Sequence, residues 1–136
     1  MEFNYDINQI KLDEGFRSKM YKCTADKWTI GYGYNLEAGM SKEEAELLLI
    51  HRLKLIDLAL QRNLDWYKNA HPEVQSVLCN MAYQMGVSGV LKFRNTLLAL
   101  EQKNYEWAAE EMLDSRWARQ TDLRAHRLAD RIRNLA

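Results

Sequence analysis

Residues 13–34 read DEGFRSKMYKCTADKWTIGYGY, and this stretch contains most of the information about the fold. It carries Glu14, Cys23 and Thr29, with eight residues between the first two and five between the last two. Aromatic and β-branched residues in its second half favour two or three short strands, with residues 23–27 as the connecting turn. The sequence therefore predicts a hairpin that carries Cys23 and Thr29.

A short helix is predicted immediately before this hairpin. Asn4 is a suitable N-cap, and the apolar residues Ile7 and Ile10 share one helical face. Gly15 suits the left-handed residue that commonly ends a helix. Glu14 then stands at the C-terminal edge of the helix, next to the hairpin.

The rest of the chain has the periodicity and caps of helices. Ser41 and Glu44 match a capping box that opens a long helix reaching at least Leu60. Pro72 suits a first helical position and Gly86 a C-terminal stop, which predicts a central helix from Pro72 to Met85. Three more helices are predicted, from Thr96 to Lys103 after Asn95, from Tyr105 to Leu113 after Asn104, and from Asp122 to Leu135 after Thr121. The predicted fold class is α+β, mostly helical.

The chain of 136 residues has one proline, six glycines and no internal repeat, so no flexible linker is indicated. We expect a single domain, 1–136, with two lobes. The N-terminal lobe covers about residues 14–40, and the connecting helix about residues 41–62. The helical lobe covers about residues 63–136 and packs with the N-terminal helix.

Charge and hydropathy exclude several classes of protein. Nineteen basic residues balance nineteen acidic ones, so no overall field attracts nucleic acid or an anionic membrane. Residues 115–136 contain six Arg and two Asp, which indicates either a solvated helical face or a local site for an acidic ligand. No apolar run approaches the ~20 residues that span a bilayer, and no secretion signal is recognisable. The sequence favours folding in the cytoplasm.

The two cysteines lie far apart in the sequence, and a cytoplasmic fold has no redox reason to join them. Cys79 is interpreted as a small buried hydrophobic residue. Trp117 is interpreted as a core residue of the helical lobe.

Glu14, Cys23 and Thr29 lie on separate short elements that can face one cleft. A glutamic acid and a hydroxyl that holds a water are the minimum equipment for acid-assisted hydrolysis of an acetal. A second ionisable group at Cys23 would activate that water or stabilise positive charge. No metal or cofactor is expected.

Three separated segments resemble the phage-type lysozymes, the endolysins of glycoside hydrolase family 24. Residues 13–34 resemble the catalytic hairpin, with Thr-Ile-Gly-Tyr-Gly at the family's distance from the glutamate. Residues 81–86 resemble the end of the central helix that lines the cleft, and residues 115–125 resemble the C-terminal segment. The resemblance covers nearly the whole chain and implies a two-lobed lysozyme-like fold.

The resemblance implies cleavage of the β-1,4 bond between N-acetylmuramic acid and N-acetylglucosamine in peptidoglycan. Glu14 corresponds to the proton donor and Thr29 to the residue that holds the attacking water. Arg124 corresponds to an arginine that pairs with the catalytic glutamate. Asn35, Tyr83, Gln84 and Thr96 correspond to residues that contact the glycan or its peptide, and Glu111 to a polar contact.

Cys23 departs from the commoner pattern, because most relatives have Asp at this position and a subset has Cys. An ordinary thiol, with a pKa near ~8.5, is mostly neutral at pH 7. Our hypothesis is that Cys23 occupies the base position with partial thiolate character. The alternatives are that it acts as a dipole beside the water or contributes little. Tyr34 stands where many relatives have His.

The sequence leaves other functions open. A lytic transglycosylase would use the same fold and substrate, but the sugar's own hydroxyl would replace water as the nucleophile. A non-catalytic cell-wall-binding module would need neither Glu14 nor Thr29. A nucleic-acid binder would use the arginines of residues 115–136, but it is disfavoured by the neutral overall charge.

The resemblance also implies partners and a route. The expected partner is peptidoglycan, with no nucleic acid and no integral membrane segment, and the protein is expected to be a monomer. The enzyme would accumulate in the host cytoplasm until lysis. It would then reach the periplasm and cell wall through a holin-made membrane lesion.

Overall fold

The fold is seen in a computed structural model that describes residues 6–136. The chain divides into an N-terminal unit that ends at Leu47 and a helical unit, Leu48–Ala136. Within residues 6–136, every helix is too short or too polar to span a lipid bilayer. The division falls inside the long helix that was expected to connect two lobes, and the packing of the first helix against the helical lobe stays a prediction.

The first helix, α1, spans Ile7–Glu14. Asp6 occupies its cap position and accepts a hydrogen bond from the Gln9 backbone N–H at 2.9 Å. The predicted cap, Asn4, lies outside the described residues. Gly15 ends the helix with φ 71°, as predicted, because a left-handed residue turns the chain away from the helix axis.

A three-stranded antiparallel sheet follows α1. Its strands, in spatial order, are β1 (Arg17–Lys22), β2 (Trp28–Gly31) and β3 (Tyr34–Asn35). Thr29 pairs with Tyr21 on one side and with Asn35 on the other. Residues directly opposite each other in antiparallel strands project to the same face, so these three side chains form one row across the sheet. The predicted hairpin with two or three strands is confirmed.

A 3₁₀ turn, Leu36–Ala38, leads from β3 to the long helix α2, Lys42–Asn63. The capping box predicted at its start is present. The Ser41 N–H donates to Glu44 Oε1 at 2.8 Å, and the Glu44 N–H donates to Ser41 Oγ at 3.1 Å. These two bonds satisfy backbone donors that the first turn of a helix leaves free.

After a 3₁₀ turn, Tyr67–Asn69, the helical unit contains six more helices. They are α3 (Pro72–Met85), α4 (Val87–Leu91), α5 (Arg94–Glu101), α6 (Tyr105–Leu113), α7 (Arg116–Gln120) and α8 (Asp122–Arg133). The bounds of α3 and α6 agree with the prediction. The short helices α4 and α7 were not predicted, because five residues are too few to establish a helical periodicity in the sequence.

Three predicted helix boundaries need correction. Helix α5 spans Arg94–Glu101, so it ends two residues before the predicted end. Asn95 lies inside the helix and does not cap it. The Leu97 N–H bonds to the Phe93 carbonyl at 2.9 Å, which starts the helix a few residues earlier than the polar cap signal indicated. Helix α8 ends at Arg133, two residues before the predicted end.

The apolar core of the helical unit contains buried side chains from every helix from α2 to α8. Its largest fully buried side chains are Tyr67, Leu60, Leu78, Met81, Met112 and Ile132. The interpretation of Cys79 as simply a buried hydrophobic residue was incomplete. Its sulfur lies 3.1 Å from the Tyr67 hydroxyl, which also donates to Asp57 at 2.7 Å. Burial raises the pKa of the Cys79 thiol, so this cysteine is a neutral member of a polar network.

Candidate active site

The turn between β1 and β2 holds Cys23 in a fixed position. The Cys23 N–H donates to the Lys27 carbonyl at 3.0 Å, and the Asp26 N–H donates to the Cys23 carbonyl at 2.8 Å. Asp26 adopts a left-handed conformation with φ 61°, which Asp tolerates better than most residues. The tight turn leaves the Cys23 side chain half-buried.

The pKa of the Cys23 thiol lies below its ordinary value. The Lys27 backbone N–H, the Thr29 hydroxyl and the Ala25 backbone N–H, in that order, lower the pKa of the Cys23 thiol. These bonds stabilise the thiolate relative to the thiol. The lysine side chains near Cys23 in sequence are not among these causes, so the shift comes from the backbone of the turn and from the Thr29 hydroxyl.

Thr29 is one of two buried polar residues in the part of the chain that the structure describes. Its Oγ1 donates to the Lys27 carbonyl at 2.8 Å. A hydroxyl has one proton, so the Lys27 carbonyl and the Cys23 thiolate compete for it. When the proton points to Lys27, the lone pairs of Oγ1 are free to accept a hydrogen bond from another group.

Asn35 and Tyr34 close the loop that follows the sheet. Asn35 Oδ1 accepts from the Glu37 N–H at 3.0 Å and caps the 3₁₀ turn, which leaves its amide NH₂ for other contacts. The Tyr34 hydroxyl donates to the Gly39 carbonyl. Tyr34 therefore holds the short loop closed.

Glu14 belongs to the same unit as Cys23 and Thr29. Its carboxyl group packs against Gly33, in the tight turn between β2 and β3. Gly33 has φ 74°, a conformation that favours glycine. Within the N-terminal unit, the predicted acid therefore lies near the Gly31 end of β2. The predicted base, Cys23, and the hydroxyl of Thr29 lie near the Trp28 end of the same strand.

The remaining predicted residues lie in the helical unit. Gln84, at the end of α3, accepts a hydrogen bond from Trp117 Nε1 at 2.9 Å. Trp117 is buried as predicted and packs edge-on against Phe93, with ring centroids 5.9 Å apart. This bond fixes the Gln84 side chain and leaves its NH₂ free for donation. Tyr83, next to it, is exposed.

Thr96 and Glu111 line a cavity of about 430 Å³ between α5, α6 and α7. Thr96 is only 2% exposed, so its side chain forms part of the floor of the cavity. Glu111 Oε1 accepts from Trp107 Nε1 at 3.1 Å, which fixes the orientation of the carboxylate.

Arg124 is held on α3 by Asn80. Its Nε and Nη2 donate to Asn80 Oδ1 at 3.0 and 2.7 Å, and Nη2 also donates to the Asn80 carbonyl at 3.1 Å. Asn80 was not identified from the sequence, because nothing in its local pattern marks it as a partner of a residue 44 positions away. The pairing of Arg124 with Glu14 stays a prediction.

These observations define a class of protein. The chain has a short helix that ends in a carboxylic acid, a small antiparallel sheet with a thiol in its first turn and a buried hydroxyl on its central strand, and a mostly helical unit. The family model for phage lysozyme matches residues 11–133. The chain therefore belongs to the phage lysozyme family and is a glycoside hydrolase.

Individual relatives agree with this assignment. The chain is similar to two proteins of Dictyostelium discoideum, "Probable T4-type lysozyme 1" and "Probable T4-type lysozyme 2", at 28% and 30% identity, with 89% of each chain covered. It is also 29% identical to an endolysin of Acyrthosiphon pisum secondary endosymbiont phage 1, over 81% of this chain and 75% of the relative.

Proposed function

We propose that this enzyme hydrolyses the β-1,4 bond between N-acetylmuramic acid and N-acetylglucosamine in peptidoglycan, with Glu14 as acid, Cys23 as base and Thr29 as the ligand of the attacking water. One observation carries the proposal: the Thr29 hydroxyl is buried, and it donates to the same Lys27 carbonyl that accepts from the Cys23 N–H. This arrangement suits a water that must be oriented before it is deprotonated.

Glu14 acts on the leaving sugar. An alkoxide is a poor leaving group, so the protonated carboxyl of Glu14 transfers its proton to the bridging oxygen as the bond to C1 of the muramic acid breaks. This step produces the free 4-hydroxyl of N-acetylglucosamine and leaves Glu14 as a carboxylate. The anomeric carbon develops oxocarbenium character.

Thr29 and Cys23 act on the nucleophile. While Thr29 donates its proton to Lys27, its oxygen accepts one hydrogen bond from the water. The second proton of the water passes to the Cys23 thiolate as the water oxygen bonds to C1. The products are a reducing muramic acid end and a neutral thiol, and proton exchange with solvent restores Glu14 and Cys23.

The remaining predicted residues contribute to binding. We assign Asn35 and Gln84 as amide donors, because each uses its carbonyl oxygen within the protein and keeps its NH₂. The exposed ring of Tyr83 offers a broad apolar face with a polar tip, which suits a sugar. Thr96 and the cavity that it lines take part in contacts to the glycan or its peptide.

Analysis of the products tests the reaction. Purified enzyme is incubated with isolated peptidoglycan, and the soluble fragments are separated and weighed by mass spectrometry. Hydrolysis gives reducing muramic acid ends that borohydride converts to the alcohol. A lytic transglycosylase would give anhydro-muramic ends, which are lighter by one water and resist borohydride. Fragments with anhydro ends would overturn the role of Thr29 as a water ligand.

The proposed biological role of the enzyme is lysis of the host cell. A monomeric endolysin that causes host lysis would accumulate in the cytoplasm and reach the wall through a holin lesion. Expression in a bacterial host with and without a holin tests this route. Lysis that needs both proteins supports it, and lysis by the enzyme alone contradicts it.

A further inference from the structure

The turn between β2 and β3 contains a glycine whose missing side chain leaves room for the predicted acid. Gly33 has φ 74° and follows Gly31 and Tyr32. A methyl group at Gly33 would lie 2.8 Å from Cδ and 3.3 Å from Cγ of Glu14, and closer still to Oε2. Carbon atoms make favourable contact at about 3.5–4.0 Å, so Glu14 occupies the space that any side chain at position 33 would need.

The other left-handed glycines of the N-terminal unit behave differently. Gly31 has φ 68°, and no heavy atom outside its immediate neighbours lies within 4 Å of the position that a methyl group would take. Gly15 and Gly39 are equally open, with φ 71° and 79°. Conformation alone therefore explains glycine at those positions, whereas Gly33 also meets a steric requirement set by Glu14.

We infer that Gly33 is a positioning residue for Glu14, because its lack of a side chain leaves the space beside the β2–β3 turn that the carboxyl group occupies. This inference rests on the proposed role of Glu14 as the acid. The carboxyl is the mobile end of a flexible side chain, so a methyl group at position 33 would displace it at little cost in stability. The displacement would remove the acid from the bridging oxygen, and an error of about 1 Å in such a position can cost 100-fold in rate.

Gly31→Ala is the matched control for Gly33→Ala. Both substitutions force alanine into a left-handed conformation, and only the second meets Glu14. We expect similar losses of melting temperature for the two variants. We expect Gly33→Ala to lower kcat on peptidoglycan by at least about 10-fold relative to Gly31→Ala, with a change in KM below about 3-fold, because the acid acts in bond cleavage.

The position of the carboxyl is measured independently of activity. The ¹³Cδ resonance of Glu14, identified by its loss in Glu14→Gln, should move in Gly33→Ala and stay within the linewidth in Gly31→Ala. If kcat and the resonance are the same in both glycine variants, the inference is wrong. If Glu14→Gln keeps wild-type activity, the proposed function fails, and the resonance still decides whether Gly33 positions the carboxyl.

Discussion

Thr29→Val separates the structural role of the Thr29 hydroxyl from its catalytic role. Valine has nearly the shape of threonine and lacks the hydroxyl, so the Lys27 carbonyl loses the bond of 2.8 Å. That carbonyl keeps the bond of 3.0 Å from the Cys23 N–H, so it is not left without a partner. We therefore expect a loss of about 1 kcal/mol in the free energy of unfolding, at the low end of the cost of removing a buried hydrogen bond. This corresponds to about 4 °C in melting temperature for a chain of this length.

The effect on activity should be much larger. Without the hydroxyl, the water loses its acceptor and the Cys23 thiolate loses one of its donors, so kcat should fall by at least about 100-fold. Thr29→Ser keeps the hydroxyl and should retain activity within about 10-fold. Both variants are measured by release of reducing ends from peptidoglycan, at a temperature where calorimetry shows them folded. A folded Thr29→Val with wild-type kcat would refute this reasoning.

Three further outcomes follow from the structure. Activity that depends on the Cys23 thiolate should fall as the pH drops through its lowered pKa. In Cys23→Asp this decline should move to near pH 4, the ordinary range of Asp, and a pH–rate profile that is the same in both proteins would contradict the base role. Tyr67→Phe removes the donor to Asp57 and should cost about 2 kcal/mol in urea unfolding, whereas no loss would show that the bond adds nothing. Ser41→Ala should cost about 1 kcal/mol, and an unchanged unfolding midpoint would contradict the contribution of the capping box.

Local signals in the sequence predicted the elements that local chemistry determines. Pro72 and Gly86 bracket α3 at its observed bounds, and Ser41 with Glu44 marks the start of α2. Cys23 and Thr29 were expected on one hairpin, because the strand pattern and the turn between them are local. The Cys23 N–H and the Thr29 hydroxyl both donate to the Lys27 carbonyl, as the tight turn between β1 and β2 allows.

The features that the sequence did not predict depend on contacts between residues that only the tertiary fold brings together. Asn80 meets Arg124 only because α3 and α8 pack together. Gly33 stands out as a turn residue in the sequence, but its contact with Glu14 depends on how the chain returns after Gly15. The Tyr67 bond to Cys79 likewise needs the tertiary fold.

The most direct measurement of the central claim is the rate at which Glu14→Gln releases reducing ends from peptidoglycan. The glutamine keeps the size of the side chain and cannot donate a carboxylic proton. Glu43→Gln, in the first turn of α2, makes the same chemical change at an exposed position of the N-terminal unit. The account predicts a loss of at least about 100-fold for Glu14→Gln and wild-type activity for Glu43→Gln. Equal rates for the two variants would contradict it.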